Sequence, residues 1–143
     1  HDCFLKGCIV TAVISAPSYQ WPQIQRYHFL DIVSSQSKMH RITKMYLRKQ
    51  CNEEVDQAII NLLKDYVEKH NNAETPEERK KYFRKIINNC PHGLHLAAGI
   101  VTNYLQLKTM YLQRKNHQLD EWANDFIRWV ESLPYFKELT GVE

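Results

Sequence analysis

The sequence predicts an all-α fold, a compact single-domain array of five or six helices with two disulfides. Three observations carry that expectation. Four glycines and five prolines in 143 residues leave few places to turn, so the elements must be long. Most apolar residues recur at three- and four-residue steps, the spacing of one helical face. Four cysteines stand in a chain small enough to use them as staples. A composition of 43% hydrophobic and 24% charged residues is that of a globular protein, and a chain this long buries about 68–70% of its unfolded surface on folding. One domain, 1–143, is expected.

The chain opens with HDCFLKGCIVTAVISAP, which sets Cys3 and Cys8 beside a β-branched run. Residues 9–14 read as strand by propensity, or as a short helix held by disulfides. Pro22 suits a first helical position and opens a segment with Ile24, Tyr27, Leu30 and Ile32 facing inward. Lys38 to Gln50 reads as a short basic helix with Met39, Ile42, Met45 and Tyr46 on its apolar side. Asn52 reads as the cap of the next helix, whose first turn holds Glu53, Glu54 and Asp56 where the helix dipole favours acids. Its stripe of Val55, Ala58, Ile59, Leu62, Leu63, Tyr66 and Val67 is unbroken until Asn71-Asn72 stop it.

Thr75, Pro76 and Glu78 then form a start signal, with an N-cap hydroxyl, a proline at the first position and a capping-box acid. Tyr82, Phe83, Ile86, Ile87 and Cys90 follow on one stripe, which Pro91-His92-Gly93 ends. Residues 94–116 are apolar over more than half the helical circumference and are expected to form a central helix. The last helix, Gln118 to Leu133, aligns Leu119, Trp122, Ala123, Phe126, Ile127 and Val130 and stops at Pro134. Tyr19, Trp21, Trp129, Tyr135 and Phe136 fall outside these stripes, either closing the ends of the core or forming a contact patch.

No catalytic residue is expected, because serine-hydrolase, phosphate-loop and dinucleotide fingerprints are absent and the glycines never cluster. Asp120, Glu121 and Asp125 read as acids in a helix's first turn. No CxxC pair occurs. The C-x-H-x-x-H of Cys90, His92 and His95 spans a helix break, so it reads as a half-cystine with loop histidines rather than a metal site. Cys3 and Cys8 are each expected to reach Cys51 or Cys90, in an order the sequence leaves open. No metal and no cofactor are expected.

The start at His1-Asp2-Cys3 looks like a product of signal-peptide cleavage, so a secreted, extracellular protein is expected. Its longest apolar stretch, Cys8 to Ala16, is far short of the ~20 residues a membrane helix needs, so no membrane insertion is expected. A net charge of +3 speaks against nucleic acid as a partner. The charge is uneven, however. Lys38, Arg41, Lys44 and Arg48 advance by three, three and four residues, and with Lys49 they read as a docking face for an acidic partner.

The HDCFLKGC start, two further cysteines near helix ends and the basic helical layout together resemble the anophensin and albicin group of mosquito salivary proteins. That resemblance implies a small secreted helical fold with Cys3, Cys8, Cys51 and Cys90 as half-cystines and no catalytic residues. It implies binding to host plasma proteins and inhibition of contact activation or alternative complement. A helical cytokine-like receptor ligand and a carrier of a small amphipathic molecule share most of these features.

Overall fold

A computed structural model describes all 143 residues, and it is not all-α. A 3₁₀ helix, Asp2–Gly7, leads into strand β1, Ile9–Pro17. One helical turn, α1 (Trp21–Ile24), precedes β2 (Asp31–Ser35). Two further single turns follow, α2 (Lys38–Arg41) and α3 (Leu47–Gln50). The long helices α4 (Gln57–Asn71) and α5 (Pro76–Asn88) come next, then β3 (His95–Asn103) and α6 (Tyr104–Arg114). A π-helix over Glu121–Phe126 runs into α7 (Ile127–Glu131), and α8 (Phe136–Thr140) closes the chain.

The three strands form one sheet in the order β1-β3-β2. Ser18 N–H donates to the Leu94 carbonyl at 2.9 Å, and Tyr104 N–H donates to the Cys8 carbonyl at 3.1 Å. Rising numbers on one strand meet falling numbers on the other, so β1 and β3 are antiparallel. Gln36 N–H donates to Ala97 O at 2.8 Å, while the Thr102 hydroxyl donates to Phe29 O at 2.8 Å, so β2 and β3 are antiparallel as well.

The central helix expected over 94–116 is therefore half strand. Its apolar residues fit a strand buried on both faces as well as a buried helix, and period alone does not separate the two. Local chemistry decides: Gly99, Ile100, Val101 and Thr102 are poor helix formers, and three of them are β-branched. Helix begins at Tyr104, where the Asn103 side chain caps it by accepting from Gln106 N–H at 2.9 Å. Gly99 also has a packing reason, since a Cβ there would stand 2.5 Å from Ser34 Oγ. Of the two readings open for residues 9–14, strand is the one realised.

Chain contacts divide the molecule into two compact units, which the strands share. One comprises His1–Ile14, Ile24–Ser34 and Gly99–Glu143. Its interior is aromatic: Tyr104 and Trp122 meet Phe136 and Phe126 edge-on, with ring centroids 5.2 and 5.3 Å apart. The expected last helix is present in part, with one turn wound as a π-helix.

The other unit comprises Ser15–Gln23 and Ser35–Ala98. Ile42, Leu47, Cys51, Ile60, Leu63, Ile86 and Leu94 form its buried apolar cluster. The helix pair α4 and α5 supplies much of it, and here the sequence signals hold. Thr75 Oγ1 accepts from Glu78 N–H at 3.2 Å, and Pro76 is the first helical residue. The Glu78 carboxylate, however, reaches Glu74 N–H rather than Thr75. α4 starts later than expected, at Gln57 behind Asp56, so Asn52, Glu53 and Glu54 lie ahead of it.

The expected disulfides are absent, and all four cysteines are free thiols. Cys3 is exposed and Cys8 half-buried in the first unit. In the second, Cys51 is buried and Cys90 half-buried, both within or against the apolar cluster. There they pack as small hydrophobes, and burial pushes both thiols above their usual pKa. The expectation failed because it rested on the number of cysteines in a small chain, which does not fix whether they pair.

Candidate functional site

Three separated segments of the second unit are laced together by their backbones. Cys51 and Leu94 form an isolated antiparallel bridge, and Asn52 N–H donates to Gly93 O at 3.0 Å. Tyr19 N–H donates to His92 O at 3.3 Å, and the Ser18 hydroxyl adds a 2.9 Å bond to Leu94 O. Gly93 permits the close approach, because a Cβ there would lie 2.7 Å from Val55 Cγ2.

The lacing aligns three half-buried side chains. Asn52 Nδ2 donates to Tyr19 Oη at 3.0 Å, and Asn52 Oδ1 meets His95 Nε2 in a short hydrogen bond. An amide oxygen only accepts, so His95 carries a proton on Nε2. Tyr19 Oη accepts from the amide. One carboxamide thus holds a phenol and an imidazole, two groups able to exchange protons, in fixed orientation.

Arg48 braces this array from beneath. Its guanidinium donates to Val55 O at 2.8 Å and, in a short bond, to Asn52 O. The expected basic face is accordingly divided. The helix is interrupted between α2 and α3, so the spacing of Lys38, Arg41, Lys44 and Arg48 generates no single stripe. Arg41, Lys44 and Lys49 are exposed, Lys38 is half-buried, and Arg48 is spent on backbone carbonyls. His92 is exposed and His95 is committed to Asn52, and no group of three metal-ligating side chains forms around Cys90. Asp120 and Asp125 stay on the surface.

Sequence reading misses the array. By local pattern Asn52 is a cap, Tyr19 a spare aromatic and His95 a loop residue. Their partners lie 33 and 43 positions away, and no short motif links them.

No family model and no curated relative matches the chain. Solved structures do. The chain is similar to the flavin-dependent thymidylate synthase ThyX from Helicobacter pylori complexed with FAD and dUMP, at a TM-score of 0.70 and 10% identity, over 98% of this chain and 74% of that one. It is similar to a second structure of that protein with FAD and dUMP at the same TM-score, 11% identity and the same coverage. Its fold is the ThyX fold.

This likeness overturns the expected non-enzymatic inhibitor of plasma cascades, together with its helical-ligand and carrier alternatives. The ThyX fold carries an enzyme in the structures matched, and the oxidised helical bundle on which those readings stood is not present. The exclusion of catalysis rested on local motifs. The Tyr19–Asn52–His95 array is assembled by the fold and leaves no such motif.

Proposed function

We propose that this chain is an enzyme domain on the ThyX fold that binds phosphate-bearing heterocycles of the class of dUMP and FAD. In its reaction the Tyr19–Asn52–His95 array gives or takes a proton. The observation that carries this reading is the fold likeness along almost the whole chain to structures holding FAD and dUMP.

The side chains fit such ligands. A phosphate ester needs cations, and residues 38–49 supply Lys38, Arg41, Lys44 and Lys49 with no acid among them. A planar heterocycle needs a flat apolar surface, and the Tyr46 ring within that segment is 64% exposed. A bound flavin supplies hydride and electron transfer, which no side chain provides. The chain's own residues bind the phosphates, and the Tyr19 phenol and His95 imidazole, oriented by Asn52, move the proton.

Purified protein incubated with FAD and passed through gel filtration is expected to retain flavin absorbance, and dUMP is expected to perturb that absorbance. Protein that elutes without flavin and gives no calorimetric response to dUMP would sink the reading.

A further inference from the structure

The segment after α2 builds a groove of about 570 Å³ against α4, within the range of small-molecule sites. We propose that this groove seats the base and phosphate of a nucleotide, an inference that rests on the nucleotide-binding reading above. Met45, Leu47 and Val67 supply its apolar lining, and Tyr46 stands beside them.

Tyr46 is the first pointer. Its neighbours Met45 and Leu47 join the apolar cluster, yet its own ring stays 64% exposed. An outward tyrosine ring beside an apolar cleft is a stacking platform for a base.

The second pointer is charge. Lys49 Nζ and Lys64 Nζ lie 5.4 and 6.0 Å from the Tyr46 ring centroid. These ammonium groups are held by the ring quadrupole, and no carboxylate stands within ion-pair distance of either. That includes Glu68, one helical turn beyond Lys64 on the groove wall. A base stacking on Tyr46 displaces an ammonium from the ring, and the displaced ammonium meets the phosphate.

The third pointer is the polar end. Asn71 and Asn72 close α4 and line the groove; Asn72 offers an amide donor and an acceptor to a base edge, and Asn71, whose Oδ1 lies 3.1 Å from His70 Nδ1, adds a donor. Asn71 Nδ2 makes a long 3.5 Å bond to Thr43 O, which a ligand can replace at little cost. Glu68 adds an acceptor suited to a sugar hydroxyl or exocyclic amine and repels a bare polyanion. Cations, a stacking ring, amides and one acid together describe a mononucleotide unit, either dUMP itself or the AMP half of FAD.

The test titrates the full chain separately with dUMP, AMP and FAD, comparing wild type with Tyr46→Ala, Tyr46→Phe and Lys64→Glu. Tyr46→Ala is expected to weaken binding of the seated nucleotide about tenfold, the scale of a lost stacking partner, while Tyr46→Phe stays within about twofold. Lys64→Glu is expected to weaken binding at low salt and to flatten its salt dependence. Because Tyr46 is exposed, thermal unfolding of Tyr46→Ala should match wild type. Wild-type affinity in Tyr46→Ala for every nucleotide that binds overturns the groove and leaves the nucleotide-binding reading standing. Failure of wild type to bind any of the three overturns both.

Discussion

Gly93 shows how much one absent methyl group can organise. An alanine there would press its Cβ within 2.7 Å of Val55 Cγ2, at the point where Asn52 and Tyr19 take their backbone bonds. Gly93→Ala is expected to cost about 1–3 kcal/mol by overpacking, read by urea denaturation. The double variant with Val55→Ala should recover part of that loss, and an equal cost in both backgrounds would show that the clash is not the cause. The tight turn at Pro91-His92-Gly93 is legible in the sequence, whereas the reason for its glycine is not. Val55 lies 38 positions away and becomes a neighbour only when Cys51 bridges Leu94. Asn52 is hidden for the same reason, its polarity having an equally good local use as a helix cap.

At the scale of elements, α4 and α5 are readable because amphipathic stripes and caps are local signals, and Thr75 does cap α5. The basic helix expected over 38–50 is not, because it breaks into two turns that let Ile42 and Leu47 reach one cluster. In the first unit, α6 and α7 are tied by the Tyr111 hydroxyl, which donates to Glu131 Oε1 at 2.7 Å, and Lys137 of α8 pairs with the same carboxylate at 3.0 Å. The hydrogen bond to Glu131 pushes Tyr111 up to about 12, while the same bond and Lys137 hold Glu131 below its ordinary value. Glu131 therefore stabilises the fold above the usual carboxyl pKa, and that contribution is lost as pH falls through its lowered value. Tyr111 acts at the other limb: its contribution is complete below 10.0 and disappears as pH rises towards about 12. Glu131→Gln is expected to flatten both limbs of the stability–pH curve measured by thermal unfolding. An unchanged alkaline limb would show that this tie is not what holds the two helices.

For the whole molecule, sequence patterns overstate the helices and misread the sulfurs. Apolar runs buried on both sides carry no period that separates strand from helix, and counting cysteines does not reveal whether a core has already made staples unnecessary. Titration of the unreduced, unfolded protein with a thiol reagent is expected to find all four thiols of the sequence. In the folded protein, exposed Cys3 should react first and Cys51, 8% exposed and raised in pKa by burial, last. Two thiols or none would restore the disulfide-bonded molecule. The π-turn at Glu121–Phe126 reaches further still. A turn of that kind accommodates one surplus residue without rotating the helix beyond it. Deleting one residue of that turn, exposed Asn124, is therefore expected to close it to α geometry and leave Val130 in the interior, with thermal unfolding close to that of the full chain, whereas the same deletion within α6 would turn everything beyond it by about 100°.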